Sequence, residues 1–403
     1  MAKFQYTGRD RKGKTQGNLV ASSKREAVVK LSQSGIKVTS IEEVQQSVLS
    51  KNITIGNPVK LHQFVIFLRQ FSTLLKAGVT MVDTTRILAE QTENKHLRSA
   101  LLDIEQDLRE GNPFSAASSK HTRIFAPMFI NMIRAGEAGG NMDESLDRLA
   151  GHYEKQHATQ QKIRSALAYP VVVGIMAIAV LIFLLVAIVP TFVDMYADFG
   201  GDLPAITVFV LKASHFMQSA WYVLVIILIA LIAFISFFSK NSRTKYYFDL
   251  FILRLPVFGK MMQKAVLARM TRTLSSLFSS SVPILQAMNI VEEVVGNEVI
   301  GNVVKESRDA LEKGQSITLP MKAHWAFPPL VTQMIAIGEQ TGALDTMLNK
   351  VADFYEREVE VVTDQLKSLI EPLMIVILAA LVGTIVISIM VPMFDIFNQV
   401  NKQ

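Results

Sequence analysis

Residues 125–143 read FAPMFINMIRAGEAGGNMD, and residues 327–345 read FPPLVTQMIAIGEQTGALD. Phe125, Pro127, Gly136, Glu137, Gly140 and Asp143 recur as Phe327, Pro329, Gly338, Glu339, Gly342 and Asp345, each 202 positions later. Working outward, the match continues. Downstream, Leu146, Tyr153, Pro170 and Pro190 recur as Leu348, Tyr355, Pro372 and Pro392 at the same offset. Upstream, Arg69, Leu74, Val79, Leu108 and Gly111 recur as Arg272, Leu277, Val282, Leu311 and Gly314, now 203 positions on. A single one-residue slip over so many spaced matches marks an internal duplication.

Each copy runs into an uncharged apolar stretch. Val171–Phe192 follows the first and Pro372–Phe394 the second, and a third such stretch, Trp221–Phe238, lies between them. About 20 apolar residues cross a hydrocarbon core of roughly 30 Å. Buried helices of water-soluble proteins rarely run this long without a charge, so the expectation is three membrane spans. Lys155, Lys162 and Arg164 precede the first span, and Lys240, Arg243, Lys245, Arg254, Lys260 and Lys264 follow the second. Asp194, Asp198 and Asp202, against a single Lys212, lie between them. Basic flanks mark the cytoplasmic side. The opening residues, Met1–Gly17, are polar and basic without an apolar core, so the N-terminus is expected in the cytoplasm. The unmatched middle span then has a reason, because it returns the second copy to the side of the first.

The copies themselves read as helices. Asn57-Pro58 is a start signal, followed by Phe64, Phe67, Leu68, Phe71, Leu74 and Leu75 at helical spacing and a stop at Gly78. Leu97, Leu101, Ile104 and Leu108 repeat the pattern before Gly111, as Val299, Val303 and Leu311 do before Gly314. Short connections predict antiparallel bundles. The first residues differ. Phe4, Tyr6 and the turn at Asp10–Gly13 predict a hairpin, Ser22–Ser34 a short helix, and Ile36–Ile41 a strand. The fold class is therefore mainly α: a polytopic membrane protein with three transmembrane helices, two repeated helical-bundle domains and a small N-terminal α+β module. The expected division is 1–56 module and linker, 57–168 first bundle, 171–192 first span and 193–220 external loop. Then follow 221–238 second span, 239–370 second bundle, 372–394 third span and 395–403 external tail.

The opening Phe4-Gln5-Tyr6-Thr7-Gly8 with Gly13, the twin Gly136-Glu137 and Gly338-Glu339 motifs, the repeated prolines and the order of the spans resemble the polytopic platform family of type II secretion systems and type IV pili, often called PilC/GspF. The resemblance covers essentially the whole chain. Thr341, where the first copy has Gly139, departs from it. The resemblance implies an inner-membrane assembly platform that forms a dimer or higher homo-oligomer. It implies contact with a hexameric ATPase, with pilin or pseudopilin subunits and with other inner-membrane assembly proteins. The filament could serve motility, DNA uptake or secretion.

Gly136-Glu137-Gly140 and Gly338-Glu339-Gly342 invite a partner-contact or ion-binding role. The bland alternative is a helix–helix corner in which Gly136 and Gly338 take positive φ and Asp143 and Asp345 face the next helix dipole. No lysine follows these glycines, so they are not phosphate loops. Pro170 and Pro190 bracket the first span as Pro372 and Pro392 bracket the third, and Glu371 beside Pro372 at the membrane boundary reads as an interfacial anchor rather than an intramembrane functional acid. Gly174 and Gly383 are candidate close-packing positions. The chain has no cysteine, and its seven histidines show no metal-ligand spacing. Neither a catalytic constellation nor a cofactor motif is present, and the basic residues lack the aromatic interleaving of a nucleic-acid surface. Two functions compete: an ATPase-driven assembly platform, and an oligomeric transporter or channel. Spans without charge disfavour the second.

Overall fold

A computed structural model describes residues 2–10, 13–21, 24, 28, 32, 37–43, 57–192, 205–238, 242–256 and 258–400. The chain divides into two units at Pro58/Val59. The first contains an antiparallel sheet in the order β2-β1-β3, formed by Ala2–Asp10 (β1), Gly13–Ala21 (β2) and Lys37–Glu43 (β3). The hairpin pairs Asp10 with Gly13 and Tyr6 with Gly17. Gly17 leaves room for the Tyr6 ring, since a Cβ there would lie 2.8 Å from the Tyr6 hydroxyl. The predicted strand at Ile36–Ile41 becomes β3, with Ile41 buried. The predicted helix over Ser22–Ser34 lies mostly outside the described residues; Lys24, Val28 and Ser32 are helical.

The second unit is helical. Its first repeat comprises Leu61–Lys76 (α1), Met81–Gln91 (α2), Lys95–Arg109 (α3), Phe114–Ser119 (α4), Pro127–Gly139 (α5) and Met142–Phe183 (α6). Helix α6 passes through a π-helical turn, Leu184–Ile188, and continues to Phe192. Ala205–Phe238 (α7) and Ser242–Arg254 (α8) follow. The second repeat comprises Phe258–Ser279 (α9), Ile284–Val294 (α10), Glu298–Glu312 (α11), Thr318–Ala323 (α12), Pro329–Thr341 (α13) and Leu344–Val400 (α14). Helices α9–α14 thus repeat α1–α6 one for one.

Local chemistry explains the matching boundaries. Asn94 caps α3 by accepting from the His96 and Leu97 amides, and Asn297 caps α11 by accepting from Val299 and Ile300. Pro127 and Pro329 occupy the first turn of α5 and α13. The start of α1 differs from expectation: it opens at Leu61 rather than at Asn57-Pro58. Val59, buried just before it, holds the entering chain in an extended approach to the core. After α1 the left-handed position is Gly78 (φ +85°), but its counterpart after α9 is Ser281 (φ +57°), a side chain rarely found there.

The two bundles share one continuous hydrophobic core. The first half is aromatic: Phe125 and Phe129 lie 4.8 Å apart, and Tyr153 stands edge-on to Phe64 at 5.0 Å. The second half is mainly aliphatic, with Leu267, Met270, Leu277, Ile300 and Ile335 buried.

Beyond the bundles, α6 and α14 carry their apolar ends outward with Val171, Ile175, Met176, Leu373, Ile375 and Val376 exposed. These two helices are long and apolar enough to cross a membrane, and α7 counts as a third if its bent halves form one span. Residues 205–220, expected as loop, are helical and meet the following helix at a 69° bend. Val210 packs there with Leu185, Val189 and Ile385, which explains why that segment is ordered as helix. Ser214 donates to the Leu185 carbonyl at 2.6 Å, at the π-helical turn, and Thr207 donates to the Ser388 carbonyl at 2.7 Å. Hydroxyl-to-carbonyl bonds of this kind join helices where water is absent. A Cβ at Gly174 would touch Met374, whereas Gly383 faces open space.

Candidate functional site

The twin glycine–glutamate motifs sit at the ends of α5 and α13. Gly136 and Gly338 do not take the positive φ expected of them. They are buried within helices, and the left-handed residues are Gly140 (φ +69°) and Gly342 (φ +71°), four positions later. Gly136 is needed for close approach: a Cβ would lie 2.5 Å from Ser145 Oγ on α6. At Gly338 it would lie 2.9 Å from Leu344 Cα on α14. Asp143 and Asp345 stand in the first turns of α6 and α14, as the dipole argument requires. At the departure from the family pattern, the Thr341 hydroxyl returns a 2.8 Å bond to the Ile337 carbonyl.

Each motif carboxylate reaches across its bundle to a short helix. Glu137 accepts from the Ser115 amide at 3.1 Å and from the Ser115 hydroxyl. Glu339 accepts from the Ile317 amide at 3.2 Å and the Ser316 hydroxyl at 2.5 Å. The N-termini of α4 and α12 have orphan amides that favour negative charge. The motif is therefore a repeated cap that fixes the short helix against the bundle.

A second repeated device was not recognised from sequence. Arg69 on α1 grips Glu154 on α6 with two bonds, of 2.7 and 2.6 Å, and Asp147 with a third of 2.8 Å. Arg272 on α9 grips Glu356 on α14 with two bonds of 2.8 Å, and Asn349 and Asp353 as well. The bond from Arg69 holds the Glu154 carboxyl below its usual range, and Glu154 in turn raises Arg69. Burial alone would lower Arg272, but its bonds to Glu356 and Asp353 outweigh it and raise it. The one signal in the sequence is that Glu154 and Glu356 repeat 202 positions apart, as Arg69 and Arg272 repeat 203 apart.

The bundles meet along α6. Arg148 donates to the Ser279 carbonyl, and the His152 ring lies 3.3 Å from Ser276 Oγ. Lys155 pairs with Asp353 at 2.9 Å and reaches Glu356 at 3.8 Å, and one heptad on Lys162 pairs with Glu360. Successive pairs advance together along both helices, so α6 and α14 run parallel toward their apolar ends. Burial, with Arg272, Arg269 and Lys155 nearby, pushes the His152 imidazole down to about 3. Beside it is a cavity of about 60 Å³ bordered by Gln156, Gln160, Ile163 and Arg269.

The remaining expected residues lie apart from these devices. Pro170 and Pro372 fall inside the unbroken helices α6 and α14. Glu371 is exposed at the start of the apolar stretch. Among the described residues no group of three His, Cys, Asp or Glu is placed to hold a metal. What the arrangement offers is mechanical: two bundles, each clamped to a long helix and joined to each other by charge pairs.

The family model described as type II secretion system (T2SS), protein F matches twice, over residues 67–190 and 270–392, and its N-terminal domain matches residues 1–42. The chain belongs to the type II secretion system protein F family. The two matches fall on the two repeats, 203 residues apart at their starts and 202 at their ends. The type IV pilus assembly protein PilC of Thermus thermophilus is 39% identical over the full length of both chains. PilC of Myxococcus xanthus is 33% identical over 98% of this chain and 95% of its own. Type II secretion system protein F of Xanthomonas campestris is 32% identical over 99% of this chain and all of its own.

Proposed function

We propose that this chain is the inner-membrane platform on which a type IV pilus or a secretion pseudopilus is assembled, and that it couples a cytoplasmic hexameric ATPase to polymerisation of pilin or pseudopilin subunits. One observation carries the reading. Each bundle is clamped to a helix that continues unbroken into the apolar segment, Met142–Phe192 in one repeat and Leu344–Val391 in the other. At 1.5 Å per residue the first is about 77 Å long. A bundle displaced by a partner therefore moves its membrane segment with it. In this reading the ATPase supplies the energy. The names carried by its relatives, pilus assembly and secretion proteins, agree with this role.

In this reading the bundles, within 57–168 and 239–370, and the N-terminal module face the cytoplasm. The spans and other inner-membrane assembly proteins receive subunits, while 193–220 and 395–403 face outside. Because the chain lacks cysteine, Ser119→Cys and Ala205→Cys can each be labelled singly. A membrane-impermeant maleimide should reach position 205 in intact cells and position 119 only after permeabilisation. The decisive experiment is co-purification with the ATPase from membranes, together with filament assembly in a deletion strain complemented by this chain. Absence of ATPase association, alongside solute flux through the reconstituted protein, would replace the platform reading with that of a transporter.

A further inference from the structure

The contact between the repeats is heterologous: α6 of the first lies in the angle between α9 and α14 of the second, with His152 toward Ser276 of α9 and Lys155 toward Asp353 and Glu356 of α14. Each half of that contact has a counterpart on the other repeat. On α14, Phe354 and Arg357 stand where α6 has His152 and Lys155. On α1, Ile66 and Thr73 stand where α9 has Arg269 and Ser276. Both counterpart faces are open. Phe354 and Ile66 are each 44% exposed, and Thr73 and Arg357 are exposed as well.

Three substitutions between used and unused faces place an apolar side chain in the open. His152 becomes Phe354, Thr159 becomes Val361, which is 50% exposed, and Arg269 becomes Ile66. Both unused faces thus carry exposed apolar side chains, on bundle helices where an apolar patch invites a partner. Charge also transfers. Lys155 approaches Glu356 inside the junction, and the equivalent pairing sets Arg357 against Glu154.

We propose that a second copy of this chain covers these faces, with the α14 face of one copy seated on the α1 face of the next in the geometry already used between the repeats. This rests on the platform reading only for the membrane that holds all copies at one height. Head-to-tail contacts make rings when rotation closes and filaments when translation accompanies it. Parallel helices α6 and α14 entering one membrane remove the translation, so the contact closes into a ring of alternating repeats.

The test uses the full-length cysteine-free chain in its own membranes. Thr73→Cys and Phe354→Cys occupy the counterparts of Ser276 and His152, whose side chains approach to 3.3 Å. Carried together, they should give disulfide-linked dimers or larger species on mild oxidation. His152→Cys with Ser276→Cys should close within one chain and leave its mass unchanged. Phe354→Cys alone should stay monomeric. Dimers from Phe354→Cys alone would reveal a self-complementary contact and overturn the proposal. So would a monomeric Thr73→Cys/Phe354→Cys chain under conditions that oxidise the internal pair. Phe354→Glu should lower the mass of the detergent-extracted assembly, and an unchanged mass counts against the contact. Filament assembly is scored separately: filaments without intercopy crosslinks overturn this contact and leave the platform reading standing.

Discussion

His152 makes the junction between the repeats sensitive to acid. Its imidazole is 6% exposed, lies beside Ser276, and is faced by Arg269 and Arg272 from α9 and Lys155 from its own helix. Burial among cations holds the folded pKa at about 3, against 6.5 in the unfolded chain. The sign follows. Between those values the unfolded chain binds a proton that the folded chain does not, so stability is present above pH 6.5 and is lost as pH falls below it. From pH 7.5 to 5.0 the loss is about 2 kcal/mol, since each pKa unit is worth about 1.4 kcal/mol and most of 1.5 units is traversed. That corresponds to roughly 4–8 °C in melting temperature for domains of this size. The comparison is His152→Gln, which retains a polar partner for Ser276 and does not titrate. Thermal unfolding of the detergent-solubilised protein, followed by circular dichroism at both pH values, should show the parent losing about 2 kcal/mol more than the variant. Carboxylates and other histidines cancel in that difference. Equal losses in the two proteins would refute the buried, neutral assignment.

Three further outcomes are expected. Gly136→Val and Gly338→Val should each destabilise by about 1–3 kcal/mol through overpacking against Ser145 and Leu344; unchanged melting temperatures would show that the helices are not so close. Glu137→Ala should cost about 1–3 kcal/mol by leaving the buried Ser115 amide and hydroxyl without their acceptor, and Glu339→Ala less, because the Ser316 hydroxyl is exposed and water can replace the carboxylate, measured by denaturant unfolding. Ser281→Gly should raise stability by up to about 1 kcal/mol, because glycine takes without strain the left-handed conformation that Gly78 has in the first repeat; no gain would mean that Ser281 is unstrained.

The duplication made much of this legible. Matched residues at a nearly constant spacing located both bundles, and uncharged stretches located their apolar ends. What the spacing did not disclose was which side of a helix a matched residue occupies. Gly136 looked like a corner because glycine permits positive φ, but it serves an equally common need, close approach of a second helix, and Gly140 makes the turn. Arg69 and Glu154 were visible as members of the repeat, yet 85 residues separate them, and nothing local to either names the other. Residues 205–220 read as loop because their neighbours Asp194, Asp198 and Asp202 are acidic, although Val210 holds an apolar contact with Leu185, Val189 and Ile385 of the first and last spans.

The duplication also separates two kinds of position. Pairs that stayed alike lie within a bundle: Arg69 and Arg272 with Glu154 and Glu356, Glu137 and Glu339, Gly140 and Gly342. Each does the same job twice, so the same residue suits both copies. Core pairs such as Phe67 and Met270 changed within an apolar setting, whereas several pairs where the bundles meet changed between polar and apolar. A repeat that packs head-to-tail on its twin buries one face of each kind and leaves the other of each kind open, so the two copies of a face meet different surroundings. His152 meets Ser276 in a closed junction rimmed by charge, whereas Phe354 stands exposed. The Arg272 side chain is 8% exposed under α6, whereas its twin Arg69, making the same grip on its own helix, is 43% exposed. Uncovered surface would ordinarily drift toward charge. At Phe354, Val361 and Ile66 it is apolar instead, which is the composition of a face that is covered when the protein works.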